Sequence, residues 1–397
     1  MDKVLDGIRV LDFSRFKAGP TCGQILADMG AEVIRVERPG GDFDRELAPF
    51  TPEGQSFYLA YTCRNKKSIT LNLSGGKGKE ILGKLVQQTD VVLESFDPVV
   101  KKKLGLDYQS LKGIKQDIIV VAVSAYGQSG PYADRTGFDS IVQGVSGLMW
   151  VTGFPEGKPV RLGVSFVDVA AGIYGALGVS LALRYRDKTG KGQLIDVSLL
   201  DVAVSFMESI FGEYMVAGQI RPQVGNANVL VAPYDAFKAK DGWVSIGTAT
   251  PGQWKALCQV TGREELADDP RFKTIQDRVR PESRQFLTEW LGEWVADKTV
   301  DELVSQLNQA GVSAGRVNTV PEVVSNPQIQ ARGMLVELDH PNIGEIPLLG
   351  IPIKLSKTPG EIRTPAPQVG EHNKQIYGKL LRLSSEQLSL LTEQGVI

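Results

Sequence analysis

Short apolar runs alternate with helix-forming segments through the first 130 residues, and that alternation leaves few architectures open. IRVLDF (8–13) reads as a buried strand, followed by a turn-like KAGP, an amphipathic helix around TCGQILADMGA and a second strand, EVIRVE (32–37). SITLNL (68–73), a helix opened by Gly and Lys and running to about Thr89, VVLESF, another short helix and DIIVVAVSAYG (117–127) continue the series. Strands covered by helices on both faces need no polar alternation. These runs, bounded by Gly, Pro or polar turns, therefore predict an α/β fold with a doubly wound, mainly parallel sheet.

With 397 residues, 42% of them hydrophobic, the chain can bury more than one core. Two more helices are expected around GKGQLIDVSL, itself a candidate strand: one ends near Tyr185 and one runs from about Val197 to Ala217. Composition then shifts, because GQIRPQVGNANVLVAPY (218–234) is rich in Gly, Pro and Asn. Beyond it, DAFKAK and WVSIGT flank an Asp-Gly hairpin turn, and helices are expected across 251–261, 282–296 and 300–310. The predicted organisation is a large Rossmann-like domain over 1–223, a smaller α+β domain over 224–330, and a segment over 331–397 returning to the first domain. IPIKLS and the Pro-rich TPGEIRTPAP make that return extended, and it closes with the helix SSEQLSLLTEQ, stopped by Gly395.

Basic and acidic side chains nearly balance, 44 against 46, so no nucleic-acid or membrane-surface partner is expected. Cys22, Cys63 and Cys258 are widely spaced and odd in number, and the two histidines are His340 and His372. No metal-site spacing results, and a reducing, cytoplasmic setting is expected. The opening MDKVLDGIRV has no apolar core of a signal peptide.

One stretch stands apart. GVSFVDVAAGIYGALGVSLAL (163–183) holds a single charge, Asp168. It is long enough to raise a membrane span, but the carboxylate and the glycines at 163, 172, 175 and 178 suit a buried helix approached closely by a neighbour. An unpaired buried carboxylate is costly. Asp168 is either a helix N-cap or a reactive carboxylate held ionised by the helix dipole against an apolar wall; both remain open on the residues alone. Arg15, Lys17 and Arg38 fall near strand ends, with RNKK (64–67) and KKK (101–103) further on. Cations at the carboxyl ends of parallel strands favour a phosphate-rich ligand. The first turn reads SRFKAGPTCG rather than GxGxxG, so a dinucleotide cradle is missing and Glu37 is expected to be a solvated sheet-edge residue.

GIRVLDFSRFKAGP, GAEVIRVERPGGD, RNKKSITLNL, YGQSGPYADRTGFD, GLMWVTG, DVAAG, APYDAF, DDPRF, SNPQIQARGM and GEH occur in this order over nearly the whole chain. The sequence thereby resembles the class III (CaiB/BaiF-type) coenzyme A transferases, the group that includes formyl-CoA transferase. The resemblance implies an enzyme that moves CoA from an acyl-CoA to a free carboxylic acid, with Asp168 as nucleophile through aspartyl anhydride and aspartyl-CoA intermediates. It implies CoA contacts at Lys17, Ala18, Arg38, Leu71, Asn72, Leu73, Ser74, Ser95, Phe96, Lys103, Arg135, Thr136, Gly137 and Phe138. It also implies a substrate loop at Gly225, Asn226, Ala227 and Asn228, no permanently bound cofactor, CoA as a passing substrate, a short-chain donor such as succinyl-CoA, and a homodimer of interlocked rings. Two departures matter. Formyl-CoA transferase carries glutamine where this chain has Lys17, and VGNANV lacks that enzyme's glycine triplet. The 2-methylacyl-CoA racemases share the fold, but their catalytic histidine falls on Phe138, which disfavours that alternative.

Overall fold

Neighbouring residues of each strand point into different cores. Val10, Val33, Val91 and Ile119 join one apolar cluster, while Leu11, Ile34, Val92 and Val120 join another, and all are essentially fully buried. A strand buried on both sides is stabilised by about 1.5–3 kcal/mol for each such side chain, which is why the runs carry no polar alternation. The computed structural model describes residues 3–50, 54, 56–340 and 344–397. They form two units, one from 1–148, 161–217 and 327–397, the other from 149–160 and 218–326. The segment 149–160, left with the large domain by the sequence reading, thus belongs with the second unit.

In the first unit, β1 (Arg9–Asp12), α1 (Ala18–Asp28), β2 (Glu32–Glu37), α2 (Phe57–Thr62), β3 (Lys66–Thr70), α3 (Gly76–Gln87) and β4 (Val91–Glu94) follow in turn. Next come α4 (Pro98–Leu104), α5 (Tyr108–Ile114), β5 (Ile119–Ser124), α6 (Asp139–Ser146), α7 (Leu148–Val151), whose last three residues belong to the second unit, α8 (Phe166–Thr189), β6 (Leu194–Ser198), α9 (Leu199–Ser205) and α10 (Glu208–Ala217). Among the described residues the sheet has six strands, all parallel, in the order β3-β2-β1-β4-β5-β6. The order reverses between β1 and β4, which opens a crevice at their carboxyl ends.

Three local expectations change. The strand expected over 68–73 is Lys66–Thr70, because Asn72 leaves the sheet and donates its N–H to the Val396 carbonyl, 2.8 Å away. The helix expected over 197–217 is two helices, since Val197 and Ser198 still pair with β5 and the chain breaks again at Phe206. KAGP opens α1 rather than forming a free turn; Pro20 sits in the first turn, where a missing N–H costs nothing.

Small residues set how closely α8 approaches its neighbours. A Cβ on Gly172 would stand 2.8 Å from the Ala18 carbonyl oxygen, one on Gly175 3.1 Å from the Cys22 sulfur, and one on Gly178 2.7 Å from Ile195. Helices α1 and α8 therefore lie in contact, with their N-termini at the same edge of the sheet. Helix α8 is long and apolar enough to cross a membrane by length and composition, and half of that stretch is buried in this fold.

The second unit contains β7 (Tyr234–Lys238), β8 (Trp243–Gly247), α11 (Pro251–Val260), α12 (Ile275–Arg278), α13 (Pro281–Ala296), α14 (Val300–Gln309), β9 (Ser313–Arg316) and α15 (Val320–Val324). Its three strands are antiparallel in the order β7-β8-β9 over a core containing Trp254, Leu257, Leu291 and Leu303. The chain then re-enters the first unit through α16 (Pro327–Ala331), β10 (Leu335–His340) and β11 (Gly344–Leu349). An extended strap follows. Asn65, with φ +60°, accepts from the Arg363 and Thr364 amides and donates to the Asp28 carboxylate and the Glu361 carbonyl. The end of the chain, α17 (Asn373–Gln375), a turn of π-helix and α18 (Ser385–Glu393), places Tyr377, Leu391 and Ile397 in the core on the α3 side of the sheet.

Candidate active site

Two cavities of about 220 and 380 Å³ lie at the carboxyl ends of the parallel strands, and both are lined by Arg15, Phe16 and Phe96. The smaller is lined by Lys17, Ala18, Ser95, Arg135, Thr136, Gly137, Phe138 and Asp168, and the larger by Arg38, Leu71, Asn72, Leu73 and Ser74. Thirteen of the fourteen expected CoA contacts, together with Asp168, thus line these two cavities at the point where the strand order reverses. Lys103 is different: it is exposed on α4 and lines neither cavity, and its carbonyl accepts from the Lys79 ammonium. Gly225, Asn226, Ala227 and Asn228 belong to the second unit. There the Gly225 amide donates to the Gly153 carbonyl, and Arg284 donates to the Asn228 carbonyl over 2.6 Å.

The cap of α8 decides how Asp168 is used. The buried Asp139 carboxylate accepts from the Val167 amide at 2.8 Å and the Asp168 amide at 3.2 Å. It thereby satisfies two of the amides a helix N-terminus leaves open. Gln143 donates to the other Asp139 oxygen at 2.5 Å and accepts from the Leu162 amide, fixing the chain that leads into α8. Capping is therefore done by Asp139. The Asp168 side chain, in the first helical turn, makes no hydrogen bond or ion pair among the described residues. Burial and the facing Asp139 charge push its pKa up to about 7, against a smaller opposing pull from Lys17. Sequence spacing gave no warning of this, since the cap comes from 28 residues away.

The other groups are held firmly. Arg15 pairs with Asp42 at 2.8 Å, lies 5.3 Å from the Phe96 ring centroid, and donates its amide to the Ser95 hydroxyl across the β1/β4 crevice. Burial lowers its pKa. Phe16 has φ +62°, a conformation costing a bulky residue about 1–3 kcal/mol, and packs edge-on against Phe138 at 5.5 Å. The Lys17 ammonium stands 5.5 Å from the Tyr58 ring. The Tyr58 phenol is pushed up by burial and by the Asp168 charge, so it stays protonated and able to donate. Arg15 was legible as a basic residue near a strand end; Phe16, Tyr58 and Asp139 carried no comparable signal.

Several other candidate cations are structural. Lys66 is fully buried on Asp12 at 2.8 Å, Arg64 pairs with Asp28 at 2.7 Å, and Lys67 pairs with Glu32 at 2.6 Å. Glu37 is buried rather than solvated, held by two bonds from Arg45 and one from Ser68. Against the upward push of burial, Arg45, Arg35 and Ser68 draw its pKa down to about 2. A third cavity, about 610 Å³, lies at the opposite ends of β2 and β3 and includes His372, whose Nδ1 accepts from the Ser68 amide. Among the described residues no three His, Cys, Asp or Glu side chains are grouped to hold a metal ion.

The family model for CoA-transferase family III matches residues 5–373. The chain belongs to that family. It is 38% identical to the succinyl-CoA–D-citramalate CoA-transferase of Chloroflexus aurantiacus over 99% of this chain and 98% of that one. It is 37% identical to the succinate–glutarate CoA-transferase of Agrobacterium fabrum over 95% of each chain. A crystal structure of a CaiB/BaiF family protein from Brucella suis superposes with a TM-score of 0.84 at 37% identity, covering 96% of this chain and all of that one. A family III CoA-transferase takes acyl-CoA as a substrate. A cleft at a strand-order reversal, faced by the N-termini of α1 and α8, suits a ligand of that kind.

Proposed function

We propose that this CoA-transferase carries CoA from succinyl-CoA to a dicarboxylic acid through covalent intermediates on Asp168. The supporting observation is the unshared Asp168 carboxylate, relieved of capping by Asp139 and facing the smaller cavity. Its oxygen attacks the thioester carbonyl, and the C–S bond breaks to leave an aspartyl–acyl anhydride and CoA thiolate. Thiolate attacks the aspartyl carbonyl, expelling the donor acid and forming an aspartyl-CoA thioester. The acceptor carboxylate attacks that thioester and frees thiolate again. Thiolate then attacks the acceptor's carbonyl in the second anhydride, releasing the new acyl-CoA and regenerating the Asp168 carboxylate.

Each step passes through a tetrahedral oxyanion, for which the Tyr58 hydroxyl and the Lys17 ammonium are nearby donors. The intermediates hydrolyse in water, so Phe16 and Phe138 serve as apolar walls. In this reading the larger cavity takes the nucleotide end, with Arg38 on phosphate and Phe96 against the adenine or pantetheine. The dicarboxylic specificity is carried over from relatives named for succinyl-CoA with citramalate, glutarate or malate.

The protein is further read as a homodimer of interlocked chains. Helix α10 carries no buried side chain, and its Tyr214, Met215 and Val216 are 60%, 77% and 90% exposed.

The test is acyl exchange between succinyl-CoA and a panel of free acids. Asp168→Ala should abolish exchange without unfolding the protein. Hydroxylamine or borohydride added with succinyl-CoA should leave a mass change confined to the Asp168 peptide. Exchange by Asp168→Ala at near wild-type rate ends the proposal.

A further inference from the structure

Lys17 is an uncommitted cation in the smaller cavity. It shares that cavity with Asp168, and among the described residues it makes no ion pair or hydrogen bond; its ammonium lies over the face of Tyr58 at 5.5 Å. The surrounding cations are engaged elsewhere. Arg15 is held by Asp42 and by the Phe13 and Ser14 carbonyls, Arg38 donates its Nε to the Gly41 carbonyl at 2.7 Å, and Arg135 stacks on Tyr132 at 3.6 Å. Its electrostatic attraction is to the Asp168 carboxylate; once that group is acylated, a partly buried ammonium pays desolvation that a ligand anion would offset.

The chemistry of the substrate restricts which anion that is. In an acyl-CoA the phosphates are separated from the thioester by the whole pantetheine arm. A cation lining the same small cavity as the attacking carboxylate is therefore beside the acyl group. A monocarboxylic acyl group brings no charge there; a dicarboxylic one brings its second carboxylate. Lysine's flexible four-carbon stem also tolerates chains differing by a methylene.

We propose that Lys17 is a specificity-determining residue that binds the distal carboxylate of dicarboxylic acyl groups, in donor and acceptor alike. This rests on the reading of Asp168 as the acyl-accepting group. Tyr58, stacked beneath the ammonium, positions it.

The experiment compares kcat/KM for succinyl-CoA with that for butyryl-CoA, glutarate being the acceptor, in the wild type, Lys17→Met and Lys17→Arg. The wild type should prefer succinyl-CoA. Lys17→Met should reduce the succinyl-to-butyryl ratio on the order of 10- to 100-fold, the range of one hydrogen-bonded charge, mainly through KM. Lys17→Arg should retain most of the preference. The same ratio read for glutarate against butyrate as acceptors should move in parallel. An unchanged ratio in Lys17→Met overturns the proposal. So does an equal loss for both donors with the acid limb of the pH profile displaced, which would make Lys17 an electrostatic partner of Asp168 only. A wild type without preference also overturns it. Failure of the Asp168 reading is recognised separately, as exchange persisting in Asp168→Ala.

Discussion

Asp139 and Asp168 stand at the same helix end with different duties, one bonded to amides and one left bare. Burial and the Asp139 charge raise the Asp168 pKa from the ordinary 3.8 to about 7, and only the ionised form attacks a carbonyl. The kcat/KM of the free enzyme should therefore rise with pH, falling about tenfold per unit below pH 7 and levelling above it. A flat profile from pH 5.5 to 8.5, with chemistry shown to be limiting, would contradict this. Removing the neighbouring charge has a defined sign as well. In Asp139→Asn the carboxamide oxygen can still accept from an amide, while the like charge is gone. The acid limb should move to lower pH, whereas Asp139→Ala should also cost about 1 kcal/mol of stability through the lost cap. The lone charge in an apolar run was visible in the sequence; the residue that frees it was not. A cap normally lies next to its helix, and this one is delivered by a different helix.

Among the elements, strand positions in the first 130 residues were legible because burial on both faces enforces continuous apolar runs. Strand ends were less so. Nothing local in SITLNL reports that Asn72 pairs with Val396, and nothing near Phe206 announces the break between α9 and α10. RNKK was legible as charge but not as structure, because Asp12, Asp28 and Glu32, which engage Lys66, Arg64 and Lys67, are 35 or more residues earlier. The close contact of α1 with α8 supplies a sharper test. Gly172→Val would drive a side chain into Thr21 and the Ala18 carbonyl. Overpacking of this kind costs about 1–3 kcal/mol. Since Lys17 adjoins Ala18 and Asp168 lies one turn before Gly172, the variant should lose exchange rate as well as melting temperature. Loss of neither would mean the two helices are free to separate.

For the whole molecule, the exposed apolar side chains of α8 and α10 bear on assembly. Ile173, Leu177 and Leu181 are 54%, 52% and 62% exposed on α8. A solitary chain leaving them and α10 in water would carry a large unpaired apolar surface. Light scattering should therefore give twice the 43.1 kDa of one chain, and Met215→Asp together with Val216→Asp should lower that mass or yield insoluble protein. A soluble wild-type monomer would refute the expectation. Nothing in composition reveals such a surface, since the same apolar residues serve a core equally well.

The strap has a temporal consequence. The wall holding Asn72 is completed through a backbone bond from Asn72 to Val396 and a side-chain bond to Gly395, 323 positions later. A ribosome adds residues at roughly 5–20 per second, so the early strands leave the exit tunnel many seconds before their last neighbours exist. The wall at Asn72 can therefore gain these two bonds only after residues 395 and 396 have been synthesised.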